Sequence, residues 1–367
     1  MHDFDIIIIG SGICGAGLAA HLQDSKRILM LEMEPQPGFH STGRSAALYI
    51  RSYGNVTIRA LNELSLPFFN DPQVDSKEDE SVLSQRGFLS ICLHGQDEMF
   101  ESFLQDNPIL KEINVQQALE LVPLLRPETF NRAVYEPEAY DIDVAGMHQR
   151  WLKQAAKNGC VLECQSEVLS LEKTTDGWVV DTGSKTYLTK TVVNSAGAWA
   201  DAVAKLASIT PVGLTPKRRS IIVTSLPDNC DSENWPLFCD AGDNWYAKPE
   251  SGKLLISPAD ADPVPACDIY PDDMVIAEGI HRFESAVDLD VTRIENKWAG
   301  LRTFAPDNTP VVGFDPRSEG FFWLAGQGGY GIQTAPALSQ IAADLLEGKS
   351  SHPELETALS PARFVDN

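Results

Sequence analysis

Two short segments of the chain carry glycines at the spacing that brings a backbone close to a phosphate. Residues 10–15 read GSGICG and residues 326–331 read GQGGYG, so both fit G-x-G-x-x-G. Glycines in this pattern let the main chain approach a pyrophosphate, and a helix that begins there directs its N–H groups at the negative charge. Either the chain binds two dinucleotides, or one of the two matches has another role.

The elements around the first loop complete a dinucleotide-binding unit. DFDIIIIG is a continuous apolar run typical of a buried parallel strand, and ICGAGLAAHL has small and apolar residues at helical spacing. A second predicted strand, RILMLE, ends at Glu32, about twenty residues after Gly12, where an acidic side chain meets a ribose 2′-OH. This acid favours FAD or NAD over NADP, because it would repel the 2′-phosphate of NADP.

The second loop lacks the rest of such a unit. A predicted strand, FFWLAG, and a predicted helix, IQTAPALSQIAADLLEG, flank it, but the polar, proline-containing KSSHPELETALSPARFVDN follows with no further strand. A helix N-terminus still attracts negative charge, such as that on the N1/C2 carbonyl region of a reduced flavin. We therefore predict one dinucleotide, with its pyrophosphate at residues 10–15 and its isoalloxazine ring at residues 326–331.

The remaining patterns predict an α/β fold with two discontinuous domains. A helix over Asp143–Gly159 precedes the short strands CVLECQ, EVLSLEK, GWVVDT and KTYLTK and the buried strand in TVVNSAGAWAD, which together indicate a small β-meander. Strands such as RRSIIVTS and KLLISP alternate with helices such as QDEMFESFLQ and indicate a mixed-sheet, α+β substrate domain. The predicted bounds are 1–52, 141–210 and 299–367 for a Rossmann-like FAD-binding domain, and 53–140 and 211–298 for the substrate domain.

The composition restricts partners and location. With 52 acidic and 29 basic residues the formal net charge is -23, and such a surface repels nucleic acid and anionic membranes. The seven cysteines include no C-x-x-C pair, which favours free thiols in a reducing compartment. The IIII run is too short for a membrane span or a signal peptide. We expect a cytoplasmic protein with a small-molecule substrate, no integral membrane segment and no metal site.

Several segments together resemble the D-amino-acid-oxidase-like flavoenzymes over essentially the whole chain. They are IIGSGICGAG, PGFHSTGRSAA, PKRRS, WAGLR and GQGGYGIQT, and within the superfamily they look most similar to the bacterial D-arginine dehydrogenases. The resemblance implies an FAD-dependent D-amino acid dehydrogenase or oxidase that transfers a hydride from the substrate Cα to flavin N5. No cysteine stands near Arg302 in the sequence, so we expect the FAD to be non-covalent.

The resemblance also implies roles for individual residues. Arg219 and Arg302 would hold the substrate carboxylate, Tyr53 and Tyr246 would lie over the substrate, and the Gly329 carbonyl would accept its amine. Arginine is suited to the first role, because it binds a carboxylate through two parallel hydrogen bonds. The alternative is a structural ion pair. The neighbours Lys217 and Arg218 are expected to face solvent.

The positions expected to contact the cofactor fall in the matched segments. They are Gly10, Gly12, Ile13, Gly15, Glu32, Met33, Ser41, Thr42, Arg44, Ser45, Ala46, Val168, Ala196, Gly197, Trp199, Gly328, Gly329, Tyr330, Gly331, Ile332 and Gln333.

Two departures from the D-arginine dehydrogenase pattern concern the substrate side chain. Phe88 stands where that group has a glutamate that pairs with the substrate guanidinium, and Leu48 and Ile50 replace a His and a Thr. An apolar wall does not neutralise a cation, and burying an unpaired charge is costly. We expect a neutral side chain, unless another acid such as Glu80 reaches the pocket.

Other functions remain open at this stage. A glycine- or sarcosine-type amine oxidase, or a 2-hydroxy acid dehydrogenase, would keep the same glycines and arginines. A flavoprotein that only binds a partner would not need both arginines. No feature of the sequence selects the electron acceptor.

Overall fold

The computed structural model describes residues 3–22, 26–70, 81–227 and 230–365. Within these ranges the chain forms nine α-helices, which are α1 (Ile13–His21), α2 (Val56–Asn70), α3 (Asp97–Asp106), α4 (Val115–Leu121), α5 (Val144–Lys157), α6 (Ala200–Leu206), α7 (Asp273–Ala286), α8 (Gly331–Leu346) and α9 (Pro353–Leu359).

The strands of the same ranges are, in chain order, β1 (Phe4–Ile9), β2 (Ile28–Leu31), β3 (Leu48–Tyr49), β4 (Leu83–Gln85), β5 (Phe88–Leu93), β6 (Lys111–Ile113), β7 (Phe130–Glu136), β8 (Tyr140–Ile142), β9 (Val161–Glu163), β10 (Ser170–Thr174), β11 (Gly177–Asp181), β12 (Thr186–Asn194), β13 (Thr215–Ser225), β14 (Leu237–Asp240), β15 (Tyr246–Glu250), β16 (Lys253–Ser257), β17 (Asn296–Phe304), β18 (Val311–Phe314), β19 (Phe321–Ala325) and β20 (Gln327–Gly328). They form sheets of eight, nine and three strands.

The first glycine loop directly follows β1, a strand of the eight-stranded sheet. β1 lies between β2 and β12, and all three run parallel. Ile6 and Ile8 pack with α1, α5 and α8 on one face, whereas Ile7 and Ile9 pack with α6 on the other. Burial on both faces explains why β1 is continuously apolar. The predicted α/β fold class is confirmed.

Two details of the predicted meander were wrong. KTYLTK and TVVN are one continuous strand, β12, whose first half pairs antiparallel with β11 and whose second half pairs parallel with β1. β9, predicted in the meander, instead pairs with β2 in the parallel part of the sheet. The meander itself is β10–β11–β12. The long strand therefore ties it directly to the dinucleotide-binding unit.

The nine-stranded sheet has the order β20-β17-β13-β16-β15-β14-β5-β7-β6. One face packs against α4 and α7 around Phe238 and Phe283, and the opposite face bounds the cavity described below. β17 begins at Asn296, and so crosses the predicted domain boundary between residues 298 and 299. The division into two domains stays a prediction.

The chain after α8 explains why the second glycine loop does not begin a second dinucleotide-binding unit. α9 and a short 3-10 turn at Pro361–Phe364 follow, and residues 347–365, all of which the structure describes, contain no strand. The helices in the described ranges include none that is long and apolar enough to cross a bilayer.

Candidate active site

Both glycine loops line one cavity of about 520 Å³. Gly12, Ile13 and Cys14 line it from the first loop, and Gly328, Gly329, Gly331, Ile332 and Gln333 line it from the second. Its wall also includes residues 41–42 and 44–48, Ser195 and Gly197. The fold therefore brings together two segments that are more than 300 residues apart in the chain.

The first loop is packed too closely for side chains at two of its glycines. Gly10 has φ +99°, and a Cβ there would lie 2.6 Å from the Ser195 carbonyl oxygen. A Cβ on Gly15 would overlap the Gly10 carbonyl. Gly12 is different, because a Cβ there would meet only Thr42 Oγ1 at 3.2 Å. The lack of a side chain at Gly10 and Gly15 thus allows the close packing around the start of α1, and the lack of one at Gly12 leaves space on the cavity side.

Glu32 joins the end of β2 to the first loop. Its Oε2 accepts hydrogen bonds from the Ser11 N–H at 2.9 Å and the Ser11 hydroxyl at 2.6 Å, and its Oε1 accepts from the Glu34 N–H at 3.1 Å. The side chain is 8% exposed. Oε2 thus accepts two hydrogen bonds and Oε1 accepts one, so Oε1 keeps a further lone pair with which it could accept from a ribose hydroxyl.

The segment from Ser41 to Leu48 connects the two sheets along the cavity. The Ser41 hydroxyl donates to the Leu301 carbonyl at 2.7 Å, and Thr42 Oγ1 accepts from the Ile13 N–H at 3.0 Å. Arg44 donates to the Ala299 carbonyl at 3.2 Å and pairs with Asp268. Ser45 and Ala46 also line the cavity.

The start of α8 faces the same cavity. Tyr330, its N-cap residue, makes no side-chain capping hydrogen bond, so the positive end of the helix is open to an anionic ligand. The Gln333 side chain, although it lines the cavity, is held by the scaffold. Its Oε1 accepts from the Ile50 N–H at 3.0 Å, and its amide donates to Asn62 Oδ1 at 2.9 Å.

Arg219 and Arg302 lie on the same face of the nine-stranded sheet. In the antiparallel pair of β13 and β17, Arg219 is opposite Gly300 and Lys217 is opposite Arg302. Opposite residues, and residues two apart on one strand, share a face. Both guanidinium groups therefore point to the cavity side of the sheet. In agreement with this, both arginines line the cavity.

Hydrogen bonds and charges fix Arg302 and leave part of Arg219 unsatisfied. Arg302 Nη2 donates to the Tyr53 hydroxyl at 2.9 Å. Burial lowers the pKa of Arg302, but Tyr53, Tyr246 and Asp243 outweigh it and the pKa is raised. Arg219 stacks over the Tyr246 ring at 5.8 Å, and its buried Nε has no hydrogen-bond partner among the described residues. An unsatisfied buried donor at a cavity wall is the mark of a ligand site.

Asp243, which the sequence analysis did not single out, faces the arginines. Its Oδ2 lies 3.9 Å from Arg219 Nη2. Its side chain is 64% exposed and lines both this cavity and a second, smaller one. Burial against the surrounding protein raises the pKa of Asp243, against the lowering by Arg219 and Arg302. In the sequence, the one feature that could have pointed to Asp243 is its position in the turn DAGDN, three residues before Tyr246.

An apolar cluster forms the far part of the cavity. Phe88, Ile50, Leu237 and Ala139 form its buried centre, and the residues that pack against it include Leu48, Phe103, Cys239 and Tyr246. Leu237 is opposite Phe88, and Cys239 is opposite Tyr246, in the strand register. β5 lies four strands from β13 in the sheet. Tyr246, on the strand β15 between them, contacts both Arg219 and the apolar cluster.

Comparison with known proteins decides the family. Residues 5–345 match the family described as FAD dependent oxidoreductase, DAO. The chain belongs to this family. Glycine oxidase of Geobacillus kaustophilus is 23% identical over 99% of this chain and 96% of its own length. Its crystal structure has a TM-score of 0.83 at 21% identity, covering 99% of this chain and 98% of that chain.

Other members of the DAO family match with different names. Dimethylglycine dehydrogenase of Rattus norvegicus is 24% identical over 98% of this chain, which spans 45% of that relative. L-proline dehydrogenase of P. horikoshii has a TM-score of 0.83 at 22% identity, with 98% and 97% of the two chains covered. These structures establish the fold. The family match over residues 5–345 supports the predicted superfamily, and the D-arginine dehydrogenase branch is not supported specifically.

The cofactor of this DAO family chain is FAD, as predicted. The site fits it in two ways. The backbone at Gly12 leaves space that a Cβ would narrow against Thr42, and Gln327 Nε2 is a buried donor without a partner among the described residues. Gln327 lines the cavity beside the start of α8. The glycines that follow it were predicted to contact the flavin, whereas Gln327 itself was not.

Some predicted cofactor residues lie outside the cavity lining. They are Gly10, Gly15, Glu32, Met33, Val168, Ala196, Trp199 and Tyr330. Val168 is buried beside β1 and β2, Ser166 donates its N–H to the Glu32 carbonyl at 2.8 Å, and the Trp199 ring stacks on His40 with centroids 4.6 Å apart. Their contacts with FAD stay predictions.

The fold brings two cysteines to the cavity that the sequence did not place there. Cys14 and Cys239 both line it. Burial raises the pKa of the Cys14 thiol to about 12 and raises that of Cys239 as well. Protonated thiols are poor nucleophiles. All seven cysteines are free, and the described part of the chain holds no cluster of metal-ligating side chains.

Arg218 and Lys217, which were predicted to face solvent, both pack against other residues. Arg218 does not face solvent, because its side chain is 13% exposed and its Nε and Nη2 atoms pair with Asp260 at 3.0 Å and Asp262 at 2.9 Å. Lys217 lies over the Phe304 ring at 5.0 Å and lines a second, smaller cavity. Glu80 lies outside the described residues. Asp106, Asp240 and Asp243 are the acids that do line the main cavity.

Proposed function

We propose that the protein oxidises a D-amino acid with a neutral side chain to the 2-oxo acid and ammonia. One observation carries the proposal: Arg219 and Arg302 stand on one face of the nine-stranded sheet, and the apolar cluster around Phe88 stands on the same face farther along. The first part suits an α-carboxylate, and the second suits an uncharged side chain.

The two arginines would bind and orient the carboxylate. Arg219 Nε is an unsatisfied buried donor, so an anion would remove a cost that the protein otherwise bears. Charge-assisted hydrogen bonds from a planar guanidinium also fix the direction of the carboxylate. Orientation of this kind contributes to catalysis by placing the Cα–H bond correctly.

The amine would lie on the side of Tyr53 and Gly329. The Tyr53 hydroxyl already accepts from Arg302, and its oxygen can donate its own proton to a neutral amine. The Gly329 carbonyl is the proposed acceptor for the amine N–H. Asp243, which faces Arg219 at 3.9 Å, is a carboxylate that lines the cavity together with Tyr53 and Gly329.

The substrate ammonium releases one proton to solvent and becomes a neutral amine. The Cα–H bond then breaks with both electrons leaving as a hydride, and the nitrogen lone pair forms a C=N bond. When bound, FAD supplies the two-electron acceptor, because its N5 atom takes this hydride. Water then adds to the imino acid and ammonia leaves, which gives the 2-oxo acid. The protein's residues bind and orient the substrate in this scheme.

Selection for a neutral side chain rests on the apolar cluster. Phe88 is 8% exposed and contacts the Phe103 ring, with centroids 6.4 Å apart. A cationic side chain there would lose its hydration without a partner. Asp240 does not compensate, because hydrogen bonds from Gln96, Asn244 and Trp245 already occupy its carboxylate. Asp106, at the exposed end of α3, is the remaining acid on this side of the cavity.

A glycine- or sarcosine-type amine oxidase is the second candidate. The similarity to glycine oxidase and dimethylglycine dehydrogenase supports it, whereas the large apolar cluster favours a substrate with a side chain. A 2-hydroxy acid dehydrogenase would use the same arginines, and would differ in needing no acceptor for an amine. The configuration at Cα rests on the resemblance to D-arginine dehydrogenases.

Anaerobic reduction of the purified holoenzyme tests the proposal. The substrates are D- and L-leucine, D- and L-phenylalanine, D-arginine, glycine, sarcosine and 2-hydroxy-4-methylpentanoate. The loss of the flavin absorbance at about 450 nm reports reduction. D-leucine or D-phenylalanine should bleach the flavin fastest. Faster bleaching by glycine or sarcosine would favour the glycine- or sarcosine-type amine oxidase. Faster bleaching by the hydroxy acid would favour the 2-hydroxy acid dehydrogenase.

A further inference from the structure

A second cavity of about 190 Å³ lies across the arginine pair from the main one. Four residues line both cavities and form the partition between them, namely Tyr53, Arg219, Asp243 and Arg302. The rest of its wall consists of Lys217, Asp260, Ala261, Phe304 and Tyr330. A ligand in this cavity would contact the arginines from the side opposite the apolar cluster.

The acids of this second cavity are already engaged. Asp260 is 8% exposed and pairs with Arg218 at 3.0 Å. It also accepts hydrogen bonds from the Ser220 N–H at 2.6 Å and the Ser220 hydroxyl at 2.8 Å. Asp243 faces Arg219 at 3.9 Å. The negative charges of the wall are therefore balanced by partners on the protein.

The bases of the cavity are in excess. Lys217 is half-buried, contacts the Phe304 ring, and has no carboxylate partner in the part of the chain that the structure describes. It stands directly opposite Arg302 in the β13–β17 register. Arg219 adds a buried Nε without a partner in the same described ranges. In a chain of net charge -23, a half-buried ammonium without a carboxylate partner is unusual, and it would attract an anion.

We propose that the second cavity is a binding site for a small carboxylate, held by Lys217 and by the outer side of the Arg219–Arg302 pair. The identity of the anion as incoming amino acid or departing 2-oxo acid rests on the proposed function, but the site itself does not. A carboxylate bound at Lys217 is separated from the main cavity by the four partition residues. Lys217 thus raises the local concentration of substrate or retains product.

The test compares Lys217→Gln with Lys205→Gln in the holoenzyme. Lys205 is an exposed lysine on α6, so the control removes the same charge from the outer surface. The first measurement is titration with acetate, followed by the change in the flavin spectrum, and it needs no turnover. Lys217→Gln should weaken acetate binding about threefold or more, and the loss should shrink at high salt. Lys205→Gln should match wild type.

Two further arms identify the source of the carboxylate. The first measures the rate of anaerobic flavin reduction at limiting D-leucine, and the second measures inhibition by 4-methyl-2-oxopentanoate. Lys217→Gln should weaken at least one of them relative to Lys205→Gln. If acetate and both of these ligands bind the two variants equally, the inference is overturned. If no amino acid reduces the flavin but acetate binding still depends on Lys217, the proposed function fails and the inference stands.

Discussion

The backbone of Gly329 lies directly against the guanidinium of Arg302. A Cβ atom built on Gly329 would overlap Nη2, Nε and Cζ of that side chain. The same guanidinium donates to the Tyr53 hydroxyl at 2.9 Å, so Arg302 is held between the second glycine loop and Tyr53. The glycine at position 329 is therefore needed for the placement of an arginine, besides any contact with a ligand.

Gly329→Ala should displace Arg302 and impair turnover without releasing FAD. We expect kcat/KM on the best amino acid to fall about tenfold or more, since a misplaced charge-assisted hydrogen bond costs about 1.5–3 kcal/mol. The control is the same substitution in an Arg302→Met background, where it should add little. Equal losses in the two backgrounds would mean that Gly329 acts independently of Arg302.

Replacing each arginine separately tests the carboxylate site. Arg219→Met and Arg302→Met should each lower kcat/KM by about tenfold or more and leave FAD content unchanged. Arg218→Met is the matched control, because Arg218 faces away and neutralises Asp260. Its loss should lower Tm by leaving a buried carboxylate unpaired, with less effect on kcat/KM. Near wild-type kcat/KM in either of the first two variants would show that arginine to be structural.

The sequence was sufficient for those parts of the fold that local pattern determines. The apolar run of β1, the glycines, the small residues of α1 and the acid at the end of β2 are contiguous, so their combination predicted the dinucleotide-binding unit. The lack of a strand pattern after α8 could likewise be seen in the local sequence. These elements form where periodicity and turn chemistry agree.

The parts that depend on long-range pairing were not predictable in the same way. Alternation along PKRRS indicates that Arg218 faces away from Arg219, but the partner Asp260 is 42 residues further along the chain. Lys217 is placed opposite Arg302 by the register of β13 with β17. Asp243 is brought to Arg219 from the turn between β14 and β15. Gln327 and the two cavity cysteines are likewise placed by the packing of distant segments.

The FAD should be non-covalent. Precipitation of the holoenzyme with acid should leave a colourless pellet and a yellow supernatant. The reason is that burial keeps the Cys14 and Cys239 thiols protonated, so neither is a ready nucleophile. Colour retained in the pellet of wild type and lost in a Cys239→Ser variant would instead assign a covalent link to that residue.

Stability should fall below neutral pH because of His148. Its Nε2 donates to the Ser11 carbonyl at 2.8 Å beneath the first glycine loop, and burial lowers its pKa. In the unfolded chain histidine titrates near about 6.5, so the unfolded state takes up the proton first. The contribution is therefore complete above that pH and is lost as the pH falls towards the lower pKa of the folded state.

Thermal unfolding at pH 7.5 and 5.5 (values chosen to lie about one unit either side of that pKa) measures the effect. The decrease in Tm between the two should be smaller in His148→Gln than in wild type, because glutamine can donate to the Ser11 carbonyl but does not titrate. His94→Gln, at an exposed position, serves as the control and should keep the full decrease. An undiminished decrease in His148→Gln would contradict the assignment.

Phe88 should determine the selection against cationic substrates. It lies in the apolar cluster at the far part of the cavity, with Leu48 and Ile50 nearby. Wild type should prefer D-leucine or D-phenylalanine to D-arginine and D-lysine by more than about tenfold in kcat/KM, since an unpaired charge costs a few kcal/mol. Phe88→Glu should raise the ratio for D-arginine over D-leucine, and the apolar control Phe88→Leu should not.

The measurement is best made at low salt with an artificial electron acceptor, so that reactivity with oxygen does not affect the ratios. If wild type already prefers D-arginine, an acid of the cavity must neutralise the cation. Asp106 and Asp243 are then the candidates, and Asp106→Asn and Asp243→Asn separate them, because only Asp243 also faces Arg219. If Phe88→Glu leaves the ratio unchanged, Phe88 does not face the substrate. The side chain would then extend towards another part of the cavity wall.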